Sequence, residues 1–172
     1  METTDKCLKE WNATIEALGH GKQTILIRRY GTKLDGFLLY PSTSYAFKDN
    51  YLDAFQSKYR DFAENNAFPD KEGDKVSIKY YAIVEKVIEK SFHNIGSLQK
   101  NYIWTSEHVR QYLKRKKAYV WFLRVYGIKN PYLDRPKPGM IKYVKLKEKI
   151  SLKDMKPVLS DSEFNKIINY IK

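Results

Sequence analysis

Residues able to do acid–base or metal chemistry are few and scattered. Asp154-Met155-Lys156 is the one acidic-x-lysine triplet in the 172 residues. Restriction-type nucleases place two carboxylates and a lysine around one metal ion, and such a triplet on a strand supplies part of that set. Here it stands directly before Pro157, in a segment without strand character. Glu85 and Glu89 lie in a β-rich run, each followed by lysine, which describes a solvated strand face. The one cysteine, Cys7, rules out an internal disulfide, fits a reducing compartment and has no obvious activating partner. His20, His93 and His108 are spread too widely for a zinc site. GxSxG, P-loop and GxGxxG motifs are absent. No nucleophile, base and orienting group come together. The chain therefore reads as a non-enzyme with no cofactor and no metal.

The residues able to bind are more plentiful. Lys and Arg number 32 against 20 Asp and Glu, a formal charge of +12, and a field of that size attracts polyanions. One basic cluster is Lys22, Arg28, Arg29 and Lys33. A second is Arg110, Lys114, Arg115, Lys116 and Lys117. A looser third set is Lys137, Lys142, Lys145, Lys147 and Lys149. Phosphate contacts of this kind supply sequence-independent, salt-sensitive affinity. Aromatic residues stand between them: Tyr30, Tyr40, Tyr45, Tyr102, Trp104 and Tyr112. A base can stack on such rings. Trp11 and Trp121 sit within apolar patterns and read as core.

The elements that must position these groups follow from periodicity and punctuation. Leu8, Trp11, Ile15 and Leu18 recur at helical spacing, with Thr4 or Asp5 as cap and Gly19 and Gly21 as stop. Thr24 to Arg29 reads as a strand, as does Phe37 to Tyr40, with Pro41 ending it. A helix from Asp49 or Asn50 presents Leu52, Phe55, Tyr59 and Phe62. Val76 to Ile88 is a long strand with a bulge or a bend within it. Thr105 caps a helix running to about Arg115. Ala118 to Tyr126 is a buried strand, Asn130 to Gly139 a loop, and Met140 to Leu146 a strand. Ser160 and Glu163 form a capping box for a last helix through Phe164, Ile167, Ile168 and Ile171. No linker interrupts this order, so residues 1–172 read as a single domain. The class is α+β: a small mixed, mainly antiparallel bent sheet or barrel decorated by about four helices. Met1 to Asp5 is not a signal sequence, and no run of about 18 apolar residues exists, so the expected location is cytoplasmic, without membrane contact.

Several short segments, taken in order, resemble one family. They are Ile15-Glu16-Ala17-Leu18 with Gly21-Lys22-Gln23-Thr24, Phe37-Leu38-Leu39-Tyr40-Pro41, Ile103-Trp104-Thr105, Leu123-Arg124-Val125-Tyr126, and Lys156-Pro157-Val158-Leu159-Ser160-Asp161 with Phe164. Together they resemble the prokaryotic domain-of-unknown-function family 1802. The helix-decorated barrel is also similar to the PUA-like superfamily, which includes EVE, ASCH and YTH domains. The resemblance implies a non-catalytic module that binds nucleic acid, DNA in preference to RNA. It also implies reading of a modified or flipped base for a restriction or defence nuclease, itself a partner or a fused domain outside residues 1–172. On that expectation Trp104 and Tyr40 stack, and Ser42 or Thr43 makes polar contacts. Lys22, Arg28, Arg29, Arg110, Lys114, Arg115 and Lys117 hold phosphate. Arg124 is either a pocket donor or a buried structural arginine. Two other classes stay open: a nuclease or RNA-modifying enzyme with a non-standard site, and a protein-interaction module whose charge is incidental.

Overall fold

The computed structural model describes residues 2–137, 139 and 141–171. Strand β1 (Thr3–Trp11) leads directly into helix α1 (Asn12–Gly19). Strands β2 (Ile25–Arg28) and β3 (Gly36–Ser42) follow, then a run of 3-10 turns that ends in helix α2 (Arg60–Asn65). The short β4 (Lys71–Glu72) precedes the long β5 (Lys75–Lys90). A 3-10 segment (Phe92–Asn101) leads to α3 (Ser106–Leu113). Strands β6 (Ala118–Asp134), β7 (Tyr143–Ser151) and β8 (Lys156–Pro157) and helix α4 (Asp161–Tyr170) complete the order.

These strands make one sheet in the order β2-β6-β5-β3-β1-β7, with β4 added to β5 and β8 to β6. All described pairings are antiparallel except β1 with β3. The fold is thus α+β with a mixed, mainly antiparallel sheet and four α-helices, as expected. Side chains alternate between two apolar layers. Leu8, Phe37 and Leu39 join the large core under α1 and α3, while Cys7, Leu38 and Tyr40 join a smaller one with Val144, Leu146 and Ile150. This is the period-two pattern of strands covered on both faces.

The first helix of the sequence reading is half strand. Thr4 and Asp5 lie in β1, and Leu8 pairs with Leu39 on β3 and Tyr143 on β7. The apolar spacing of Leu8 and Trp11 suits a strand as well as a helix, and only the two neighbouring strands decide between them. Pro41 does not end β3. It pairs with Glu10 on one side, whereas β5 pairs only as far as Leu38 on the other, so its missing N–H breaks no ladder there. The helix expected from Asn50 breaks into 3-10 turns before α2.

The expected loop at Asn130 is also a correction, since β6 runs on to Asp134. Its ladder to β5 jumps from Tyr80↔Gly127 to Ile78↔Tyr132. Pro131 falls inside that irregular stretch, where no partner needs its N–H. Strand β7 begins at Tyr143 rather than at Met140, which lies outside the described residues. Lys156 and Pro157 form the two-residue β8 beside Tyr126 and Gly127. Thr105 caps α3 as expected, accepting the His108 N–H at 3.0 Å. The Ser160–Glu163 box closes α4 in both directions, at 3.0 and 3.1 Å. No described helix is long and apolar enough to cross a membrane.

Candidate nucleic-acid interface

The sheet ends in β2 on one side and β7 on the other, and among the described residues no ladder joins them. Side chains alone stitch this seam. The Arg28 guanidinium on β2 is ion-paired with the Glu10 carboxylate on β1. Lys142 Nζ lies 3.9 Å over the Tyr30 ring. Tyr143 Oη donates to Thr32 Oγ1 at 3.2 Å.

A cleft of about 390 Å³ opens on the seam, lined by Trp11, Arg28, Arg29, Tyr30, Ser42, Trp104, His108, Tyr112 and Lys142 among others. That is within the size range of small-ligand sites. The walls come from the ends of β1, β2 and β3 and from one face of α3. His108 and Tyr112 are four residues apart on α3, hence on the same face. Trp11 stacks on Tyr45 with ring centroids 4.5 Å apart and an 8° interplanar angle, and His108 lies 5.1 Å from its ring. Arg29 sits 5.1 Å over Tyr112.

Electrostatics inside the cleft are uneven. Burial works against the Arg28 charge, but the Glu10 carboxylate and its hydrogen bond outweigh it and hold the guanidinium above its ordinary pKa. Glu10 Oε1 also accepts the Trp11 N–H at 2.9 Å, which ties the ring's backbone to the ion pair. Burial lowers the His108 pKa; Glu10 pulls it up and Lys48 pulls it down. Burial also lowers Lys9, whose Nζ donates to the Gly139 carbonyl at 3.2 Å.

Of the residues expected at the site, the cleft gathers Trp104, Ser42, Arg28 and Arg29. Trp104 is only 5% exposed and donates its Nε1–H to Thr14 Oγ1 at 3.2 Å. It forms floor rather than an open stacking face. Thr43, next to Ser42, is not a lining residue. Tyr40 lies in the other layer, fully buried, its hydroxyl donated toward Asp134 Oδ2 (2.8 Å) and the Arg135 carbonyl (2.7 Å). Arg124 is 8% exposed and fastens α4. It donates to the Leu159 carbonyl at 2.9 Å, pairs with Asp161 at 2.8 Å and lies 5.0 Å over Phe164.

The remaining cations are dispersed. Lys22 lies 5.2 Å over Phe62, and Lys117 is paired with Glu89. Lys114 and Arg115 occupy the left-handed turn after α3, with φ of 51° and 65°, and Arg110 on α3 is exposed. Asp154 is paired with Lys129 at 3.6 Å. Among the described residues no three His, Cys, Asp or Glu side chains gather as a metal would need.

Trp11, Glu10, Lys9 and His108 are among the cleft residues that pattern reading missed. Trp11 carries an apolar-stripe signal that reads as core, and Glu10 beside it falls in the expected first helix, where nothing marks it out. Nothing local announces that β2 comes round to meet them.

The family profile of a domain of unknown function, DUF1802, matches residues 7–169. No curated protein matches. Among solved structures, the chain is similar to the ASCH protein from Zymomonas mobilis, with a TM-score of 0.50 and 13% identity over 95% of this chain and 93% of that one. A serine-to-alanine mutant of that protein gives a TM-score of 0.51 at 12% identity, covering 99% of each chain. A tyrosine-to-phenylalanine mutant gives 0.50 at 12% identity, covering 95% and 96%. At such identity the likeness is one of fold alone, shared with that ASCH protein. With the profile matching all but the two ends of the sequence, the chain belongs to the DUF1802 family.

Proposed function

We propose that the protein binds nucleic acid by seating one unstacked base in the seam cleft. The observation that carries this reading is the composition of the cleft. The rings of Trp11, Tyr30 and Tyr112 stand beside the cations Arg28, Arg29 and Lys142 in one cavity of about 390 Å³. Rings offer a sequence-tolerant surface for a base, and cations hold its phosphates. Ser42 and the Glu10–Arg28 pair supply donors and acceptors for the base edge. DNA is the favoured substrate, and a modified base read on behalf of a restriction or defence nuclease in the cytoplasm is the favoured role.

The test is a salt titration with labelled single- and double-stranded DNA and RNA, each with and without methylated bases. The reading expects affinity to fall steeply with salt, one substrate to be preferred, and Trp11→Ala to remove that preference. No binding to any oligonucleotide at low salt refutes it and turns attention to protein partners.

A second reading, enzymatic, draws on Glu10, His108 and Lys9 lining the same cleft. Burial lowers the pKa of both the His108 imidazole and the Lys9 ammonium, the direction that makes each a better base near neutral pH. Turnover of RNA or a modified nucleoside, lost in both Glu10→Gln and His108→Gln, would favour it over binding alone.

A further inference from the structure

A second depression of about 560 Å³ continues the seam away from the cleft, sharing Tyr30 and Lys142 with it. Lys6, Lys33, Lys142 and Lys145 line it, and no Asp or Glu does. All four lysines are exposed. None of them has an ion-pair partner among the described residues, whereas Lys79, Lys117, Lys129 and Lys137 do. The β1–β7 register sets Lys6 directly opposite Lys145. Like charges in directly opposed positions destabilise a sheet, so folding gains nothing from this pair. The Tyr143–Thr32 hydrogen bond at 3.2 Å draws the loop carrying Lys33 to the same edge.

We propose that this groove holds the sugar–phosphate backbone of a single strand as it leaves the cleft. The inference rests on the base-cleft reading and adds a path and a substrate form to it. Lys142 sits at the junction, its Nζ 3.9 Å over the ring of Tyr30, so one residue pair touches both the cleft and the groove. Lysines act as point charges without the fork that reads geometry, so the track is sequence-independent and its length sets the footprint.

The experiment uses fluorescein-labelled thymidylate oligonucleotides, a dinucleotide and an octanucleotide, against the full chain and against Lys6→Gln/Lys33→Gln/Lys145→Gln. Because the three lysines are exposed and two of them repel each other across the β1–β7 ladder, the variant melts at or slightly above the temperature of the parent. It should bind the octanucleotide at least tenfold more weakly. The slope of log affinity against log salt should shrink by about two, since each single-strand phosphate that a lysine neutralises adds about 0.7 to it. Dinucleotide affinity should not change. An octanucleotide affinity and slope equal to those of the parent overturn the groove proposal and leave the cleft standing. A parent that binds the octanucleotide through the lysines but not the dinucleotide upholds the groove and overturns the base cleft. Failure of both oligonucleotides to bind the parent overturns both.

Discussion

The ion pair between Glu10 and Arg28 should be the point at which the seam fails first. Glu10 is 8% and the Arg28 side chain 11% exposed, so solvent screens the pair little. Replacing Glu10 by Gln keeps the shape but leaves a buried guanidinium without its counter-charge. Breaking a buried pair from one side costs about 3–5 kcal/mol. The pair lines an open cleft, so the lower end, about 3 kcal/mol, is expected. For 172 residues the entropy of unfolding at the midpoint is about 0.36 kcal/mol per degree, which converts that loss into a melting temperature lower by about 8 °C. The double variant Glu10→Gln/Arg28→Met removes the stranded charge and should regain more than half of the loss. Calorimetry or circular dichroism on the four proteins of the cycle gives the coupling directly. A fall of under 2 °C for Glu10→Gln, or strict additivity in the double variant, would show that the seam does not depend on this pair.

Other consequences are simpler to state. A Cβ at Gly19 would lie 2.2 Å from the Tyr80 ring, so Gly19→Ala should destabilise by about 1–3 kcal/mol and Tyr80→Ala should partly relieve it, both read by thermal melts. Ser160→Ala removes the N-cap of α4 and should cost about 1 kcal/mol, with proteolysis beginning near residues 161–170. Burial keeps the His108 pKa below its ordinary value. The stability this group contributes is therefore present above about pH 6.5 and is lost as pH falls through its folded value. His108→Gln should flatten the melting temperature between neutral and mildly acidic pH, and an unchanged pH profile would refute that assignment. Arg124→Lys should loosen α4, because an ammonium cannot reach the Leu159 carbonyl and Asp161 together while lying flat on Phe164. Hydrogen exchange confined to α4 would show it.

What the amino-acid order determined by itself was mostly local. The Thr105 cap and the Ser160–Glu163 box need only neighbours three residues away, and both stand where spacing puts them. The β-rich alternation of Val76 to Ile88 is intrinsic to that segment, and β5 forms over it with its irregularities. The burial of Trp121 follows from an apolar run around it. The net charge of +12 is likewise a property of composition. Tertiary structure decided the rest. Whether Leu8 belongs to a helix or a strand depends on Leu39 and Tyr143, which lie far along the chain. Tyr40 and Trp104 look alike as aromatic residues near breaks in structure. Sheet alternation sends Tyr40 into the smaller core, and the contact with Thr14 turns Trp104 to the floor of the cleft. The cleft joins the end of β1, β2 and the residues just after it, Ser42 and Ser44, one face of α3 with Trp104, and Lys142, and the groove joins β1, the turn after β2 and β7. Neither exists until the sheet bends far enough for β2 to meet β1, and that closure is a sum over all the strands rather than a signal in any one of them.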